Sequence, residues 1–138
     1  MKSVKCVMVI DEELPSGIAA NTAALMGMSL GSRVPEVIGC EAIDGSGYAH
    51  PGVLQIPLPI LKANQETIRE IRTQLYQETF QDVEVMEFSD VAQQCNIYEE
   101  WLNKAKETEE KEFHYLGVAL YGDKKKVNKL TGSLPLYR

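Results

Sequence analysis

The chain is short of several things that would announce a function. Its cysteines number three, Cys6, Cys40 and Cys95, and no two form a CxxC pair, so neither a disulfide framework nor a Cys-based zinc site is signalled. Its two histidines, His50 and His114, show no HxH or HExxH spacing, which leaves no zinc motif. GxGxxG, a Walker lysine motif and a GxSxG elbow are all absent. No apolar run approaches the roughly 18–20 residues of a membrane span. Cations are outnumbered, and the net charge of -6 argues against broad contact with a nucleic-acid backbone. The one basic cluster is Lys124–Lys126 with Lys129. Neither a cofactor nor a metal is implied.

What is present is ordinary globular material. With 138 residues, 44% hydrophobic and 25% charged, the chain suits one domain over 1–138. A chain of this size buries about two thirds of its unfolded surface and needs no metal or disulfide to hold it. Met1–Lys5 leads straight into a strand-like run without a signal-peptide pattern, so the chain reads as cytoplasmic.

Val4–Ile10 is almost continuously apolar and rich in β-branched residues, as a central strand covered on both faces must be. Asp11-Glu-Glu ends it. A helix follows from Gly17 to about Leu30, lined with Ala19, Ala20, Ala23 and Ala24, small enough to lie close to a neighbour. Val34–Ile43 reads as a second strand and Asp44-Gly-Ser-Gly as a turn. Pro51, Pro57 and Pro59 make Tyr48–Leu61 an extended loop or edge strand. A helix begins near Asn64 with Ile68, Ile71 and Leu75 inward; Val83–Phe88 is a short strand; Ser89 or Asp90 caps a long helix with Val91, Cys95, Tyr98, Leu102 and Ala105 on one stripe. Tyr115–Tyr121 is a strand, Lys124–Leu130 a basic segment, and Leu134–Tyr137 extended. Cys6 and Cys40, among apolar strand residues, are expected to be buried thiols. The pattern is α/β: three layers, α/β/α, around a mixed four- to five-stranded sheet.

Ser16-Gly-Ile-Ala-Ala-Asn21 after the first strand resembles the Gly-Lys-(Ile/Val)-Ala-Ala-Gln opening of the type II peptidyl-tRNA hydrolases. The tail Val127-Asn-Lys-Leu-Thr-Gly-Ser-Leu-Pro-Leu-Tyr137 is similar to that family's ending, and Ser89-Asp90-Val-Ala-Gln falls at its Asp-Ala-Gly-Arg-Thr. The resemblance implies that family's fold and a homodimer. Leu14–Asn21, Asp44–Gly52 and Leu130–Leu136 are closer still to an uncharacterised bacterial family that carries a domain-of-unknown-function label and shares the hydrolase fold. The departures bear on chemistry. The hydrolase lysine falls at Gly17, its histidine at Ala24, its glutamine at Asn21, and its threonine at Gln94, while its aspartate is kept as Asp90.

In open α/β sheets, ligands sit at the carboxyl ends of strands. That principle selects Asp11, Asn21, Asp44, His50 and Asp90 as one polar cluster. Asp90 and His50 are the candidate bases, Asn21 the orienting amide, and Asp11, Asp44 and Thr131 the candidate ligand-binding residues. His114, opening a strand, reads as structural. The leading functional expectation is a hydrolase-like domain acting on a small acyl or amide substrate. The alternative is a non-catalytic module that binds a small molecule or regulates, and peptidyl-tRNA hydrolysis ranks behind both.

Overall fold

The apolar run near the start of the chain forms strand β1 (Val4–Asp11), one of the two inner strands of the sheet. The computed structural model describes residues 3–138. Helix α1 (Ser16–Arg33) follows, then a 3-10 turn (Pro35–Val37) and a small hairpin of β2 (Ala42–Ile43) and β3 (Ala49–His50). Strand β4 (Ile60–Ala63) leads into α2 (Gln65–Leu75). Strand β5 (Glu84–Ser89) leads into α3 (Asp90–Gln93) and α4 (Tyr98–Glu107), and β6 (Tyr115–Asp123) into α5 (Lys124–Thr131).

The main sheet has four strands in the order β4-β1-β6-β5. β1 runs parallel to β4 and antiparallel to β6, which is antiparallel to β5, so the sheet is mixed. The two-residue alternation of a strand explains why β1 is apolar throughout. Val7 and Val9 pack with Ile68, Ile71 and Leu75 of α2 and Val127 of α5. Cys6, Met8 and Ile10 pack with Ala19, Met26 and Leu30 of α1 on the other face. Three layers result. Asn64 caps α2, its side chain accepting from the Thr67 N–H at 2.9 Å. Gly117 of β6 is what lets α1 sit close to the sheet: a Cβ there would lie 2.9 Å from Met26 Cε and 3.0 Å from Ile10 Cδ1, whereas Ala20 and Ala24 of the small-residue stretch are exposed.

Three expectations need correction. Val34–Ile43 is no strand of the main sheet; Pro35 opens a 3-10 turn, and Val34 and Val37 turn inward to close the α1 core. Only Ala42–Ile43 is extended, and it pairs with β3 alone. Cys40 is exposed rather than buried, because the 39–59 excursion lies largely outside the layers; Cys6 is buried as expected. The long helix after Ser89 is broken into α3 and α4 at 94–97. Asn96, a poor helix former, sits in the break. Tyr98 and Leu102 of the expected buried stripe are therefore 73% and 55% exposed. The tail is extended as read: the Tyr137 N–H donates to the Ile60 carbonyl at 2.8 Å, and Leu136 bridges Leu61 along the open edge of β4.

Candidate functional site

Asp11 is the last residue of β1 and only 3% exposed. A buried carboxylate must find hydrogen bonds. Its Oδ1 accepts from the Glu13 N–H at 2.9 Å and its Oδ2 from Gln65 Nε2 at 2.8 Å. The same Gln65 amide donates to the Tyr115 carbonyl at 2.6 Å, tying the start of α2 to β1 and β6. His114 Nε2 stands 3.7 Å from Asp11 Oδ2, on a side chain 52% exposed.

Asp90 binds the backbone of the same histidine. The Asp90 N–H donates to the His114 carbonyl at 3.0 Å, and Asp90 Oδ1 accepts from the His114 N–H at 2.9 Å and the Val91 N–H at 2.8 Å. Ser89, whose side chain accepts from the Ala92 N–H, is the cap of α3. Asp11 thus faces the His114 side chain at 3.7 Å, while Asp90 holds its backbone. A β-bulge helps to set this geometry: Phe88 pairs with Gly117 but Ser89 with Tyr115, leaving Leu116 as the extra residue. The bulge reverses the alternation, so Tyr115 packs on the α2 side although Gly117 faces α1. There the Tyr115 hydroxyl donates to Glu110 Oε2 at 2.7 Å, beside Arg69. Burial, then that bond, pushes the phenol's pKa far up. Glu110 is lowered, first by the tyrosine and then by Arg69.

The other expected residues lie apart. Asp44 and His50 are on the hairpin, both exposed, with His50 Nε2 2.8 Å from Asp44 Oδ2. Asp44 Oδ1 also accepts from the Ser46 and Tyr48 N–H groups. The His50 bond, then those two N–H groups, lower the Asp44 pKa. Among the described residues, no hydrogen bond or ion pair links this hairpin pair to Asp11 or Asp90. Asn21 is exposed on α1, two residues after buried Ala19 and so on the far side of the helix. Thr131 is 1% exposed, its hydroxyl donating to the Val127 carbonyl at 2.7 Å within α5.

A further concavity lies elsewhere. A groove of about 460 Å³ runs between α1 and the β5–α3–α4 segment. Its walls are Leu25 and Met26 of α1, Met86 and Phe88 of β5, and Cys95 and Trp101, with Ser29 and Asn96 as polar groups. The Cys95 thiol donates to the Val91 carbonyl at 3.3 Å. Trp101, the single tryptophan, meets Phe113 edge-on at 6.1 Å. A second, apolar cavity of about 200 Å³ lies between Ser16, Ala19, Ala20 and Ala23 of α1 and Ile10, Ile60 and Tyr137. No three His, Cys, Asp or Glu side chains gather to hold a metal among the described residues. No described helix is long and apolar enough to cross a membrane.

Sequence reasoning missed Gln65, the bulge that sets His114 and Tyr115, and the groove. Only the groove left a signal: the apolar face of the α4 segment, read there as core.

Residues 4–138 match the family described as a protein of unknown function, DUF2000. A solved structure of a protein of unknown function from Agrobacterium tumefaciens str. C58 is similar over 100% of both chains, at 19% identity and a TM-score of 0.87. At that identity the likeness concerns the fold. No curated protein matches.

Proposed function

We propose that this chain, which belongs to the DUF2000 family, binds a small, largely apolar ligand in the groove between α1 and the β5–α3–α4 segment. The observation that carries this reading is the groove itself. Its volume of about 460 Å³ falls within the range of small-molecule sites. Its lining joins methionine, leucine, phenylalanine and tryptophan to a few polar groups, among them Glu87, Ser29 and Asn96, a mixture of the kind such sites carry. Of the two inner segments that carry the peptidyl-tRNA hydrolase resemblance, Ser89–Gln93 places Ala92 on the groove, while Ser16–Asn21 places Ser16, Ala19 and Ala20 on the smaller apolar cavity.

The test uses Trp101. Compounds that raise the melting temperature in a thermal-shift screen should also change Trp101 emission, and Ala92→Phe, which fills the groove, should abolish both effects. Ligands that stabilise the protein equally in Ala92→Phe would sink the reading.

The hydrolase reading has one specific support: Asp90, two residues before groove-lining Ala92, is anchored through Oδ1, with no hydrogen bond to its Oδ2 among the described residues. In that reading Asp90 activates water for an acyl or amide substrate, without His50 and Asn21, which lie apart from it. Asp90→Asn should then remove turnover while leaving ligand affinity intact. Peptidyl-tRNA hydrolysis is the least supported, since Gly17 stands at the lysine position. The basic run of α5 lies at the opposite end of β1, where Val4 pairs with Asp123.

A further inference from the structure

We propose that the open edge of β5, with the groove beside it, docks an extended peptide segment that alternates apolar residues and carries an excess of lysine or arginine. The proposal rests on the groove reading and names what enters: apolar side chains presented by an added strand.

The two edges of the sheet differ. Along β4 lies the C-terminal tail, with the Lys62 N–H donating to the Pro135 carbonyl at 3.0 Å and the Tyr137 N–H to the Ile60 carbonyl at 2.8 Å. Along β5 lies no such partner: among the described residues, no backbone hydrogen bond joins Glu84–Phe88 to any element but β6. The register tells which groups are left over. The Met8 N–H donates to the Pro59 carbonyl, so the even-numbered residues of β1 turn their backbone to β4, and Val7 and Val9 turn theirs to β6. Val7 and Val9 stand opposite Leu120 and Val118, which leaves Ala119 and Gly117 to bond Met86 and Phe88. The N–H and C=O groups of Val85 and Glu87 therefore point out of the edge, the groups that strand addition uses.

That edge borders the groove. Met86 and Phe88 face the α1 side, and both line it. Glu87 sends its side chain the other way, to Arg72 of α2 at 2.5 Å, yet it also lines the groove. The groove thus follows the outer edge of the strand, and an added strand sets every second side chain against its apolar wall.

Charge selects the partner. Residues 84–112 hold nine acids against three lysines, a net charge of -6 that equals the charge of the whole chain. Arg33, Arg72 and Arg69 answer Glu84, Glu87 and Glu110. Glu99 and Glu100 are exposed in the first turn of α4, between groove-lining Tyr98 and Trp101, and make no ion pair among the described residues. Such a rim favours a cationic segment. It disfavours a second copy, because pairing β5 with β5 brings two acidic segments together.

Random nonapeptides displayed on phage, selected on the immobilised full chain at low salt, test this. Enriched peptides should alternate apolar residues and carry net positive charge. The strongest, made synthetically, should change Trp101 emission and slow exchange of the Val85 and Glu87 amides. N-methylation of one alternate set of its amides should lower affinity at least tenfold, and so should Glu99→Lys with Glu100→Lys in the protein. No enrichment, acidic or neutral winners, or indifference to N-methylation of either set would overturn the proposal. So would self-association in sedimentation that protects the same two amides, which makes a second copy the occupant. Failure here is separable from failure of the groove reading: small compounds that shift Trp101 emission in wild type and not in Ala92→Phe uphold the groove even when no peptide is selected.

Discussion

The three cysteines differ in where the fold puts them, and their chemistry follows. Burial pushes the Cys6 thiol up to about 11, Cys95 is half-buried in the groove, and Cys40 is exposed. A thiol reagent at neutral pH should label Cys40 first, Cys95 slowly and Cys6 only on unfolding, as peptide mass spectrometry will show. The Cys6 shift also sets a pH dependence. Between the ordinary value of 9.0 and about 11, the unfolded chain releases this proton while the native chain keeps it. The native state then binds more protons, so stability falls as pH rises through that window. The loss from this thiol should total roughly 2–3 kcal/mol, measured by urea unfolding from pH 8 to 11. Gly52 makes a second prediction at this scale. A Cβ there would lie 1.8 Å from the Gly39 carbonyl oxygen, so Gly52→Ala must push the two backbone segments apart. It should cost about 1–3 kcal/mol and speed amide exchange across 37–55.

Among the elements, the β2–β3 hairpin and α2 sit at opposite extremes. Each hairpin strand has two residues and pairs only with the other, and a lone two-stranded hairpin is marginal in water. Asp44 holds its turn by accepting two N–H groups, and Gly47 takes a φ of +90° that other residues rarely adopt. Asp44→Ala should bring the amides of 42–50 to near-unstructured exchange rates while the global midpoint hardly moves. Helix α2 instead buries Ile68, Ile71 and Leu75 against the sheet. Ile71→Ala should cost about 2–5 kcal/mol in equilibrium unfolding. α2 was legible in the sequence because three apolar residues at helical spacing and one cap, Asn64, agreed. α4 was misread because Tyr98 and Leu102 carry the same spacing. Periodicity records which face is apolar, not whether another element covers it.

For the whole molecule, the sheet couples the two cores. β1 sends Val7 and Val9 to one and Cys6, Met8 and Ile10 to the other, so neither layer of helices has a sheet of its own. Unfolding should therefore be a single transition, with Cys6 labelling and far-UV circular dichroism sharing one urea midpoint. Two separated midpoints would contradict the shared sheet.

Local chemistry in the chain determined the elements and the layering: a doubly covered strand must be apolar throughout, a small-residue helix can pack closely, and prolines bar a regular helix. Those constraints act over a few residues and are written where they operate. The site was decided by pairings between distant residues. Asp11 and Asp90 were legible as acids at strand ends, but His114 joins them only because β6 lies between β1 and β5. Asp44 and His50, expected with them, were drawn onto the hairpin because their strand never entered the main sheet. The groove likewise exists only because the chain breaks between α3 and α4 and returns beside α1. Strand order, a one-residue bulge and a helix break are settled by long-range packing, which no short stretch of sequence contains.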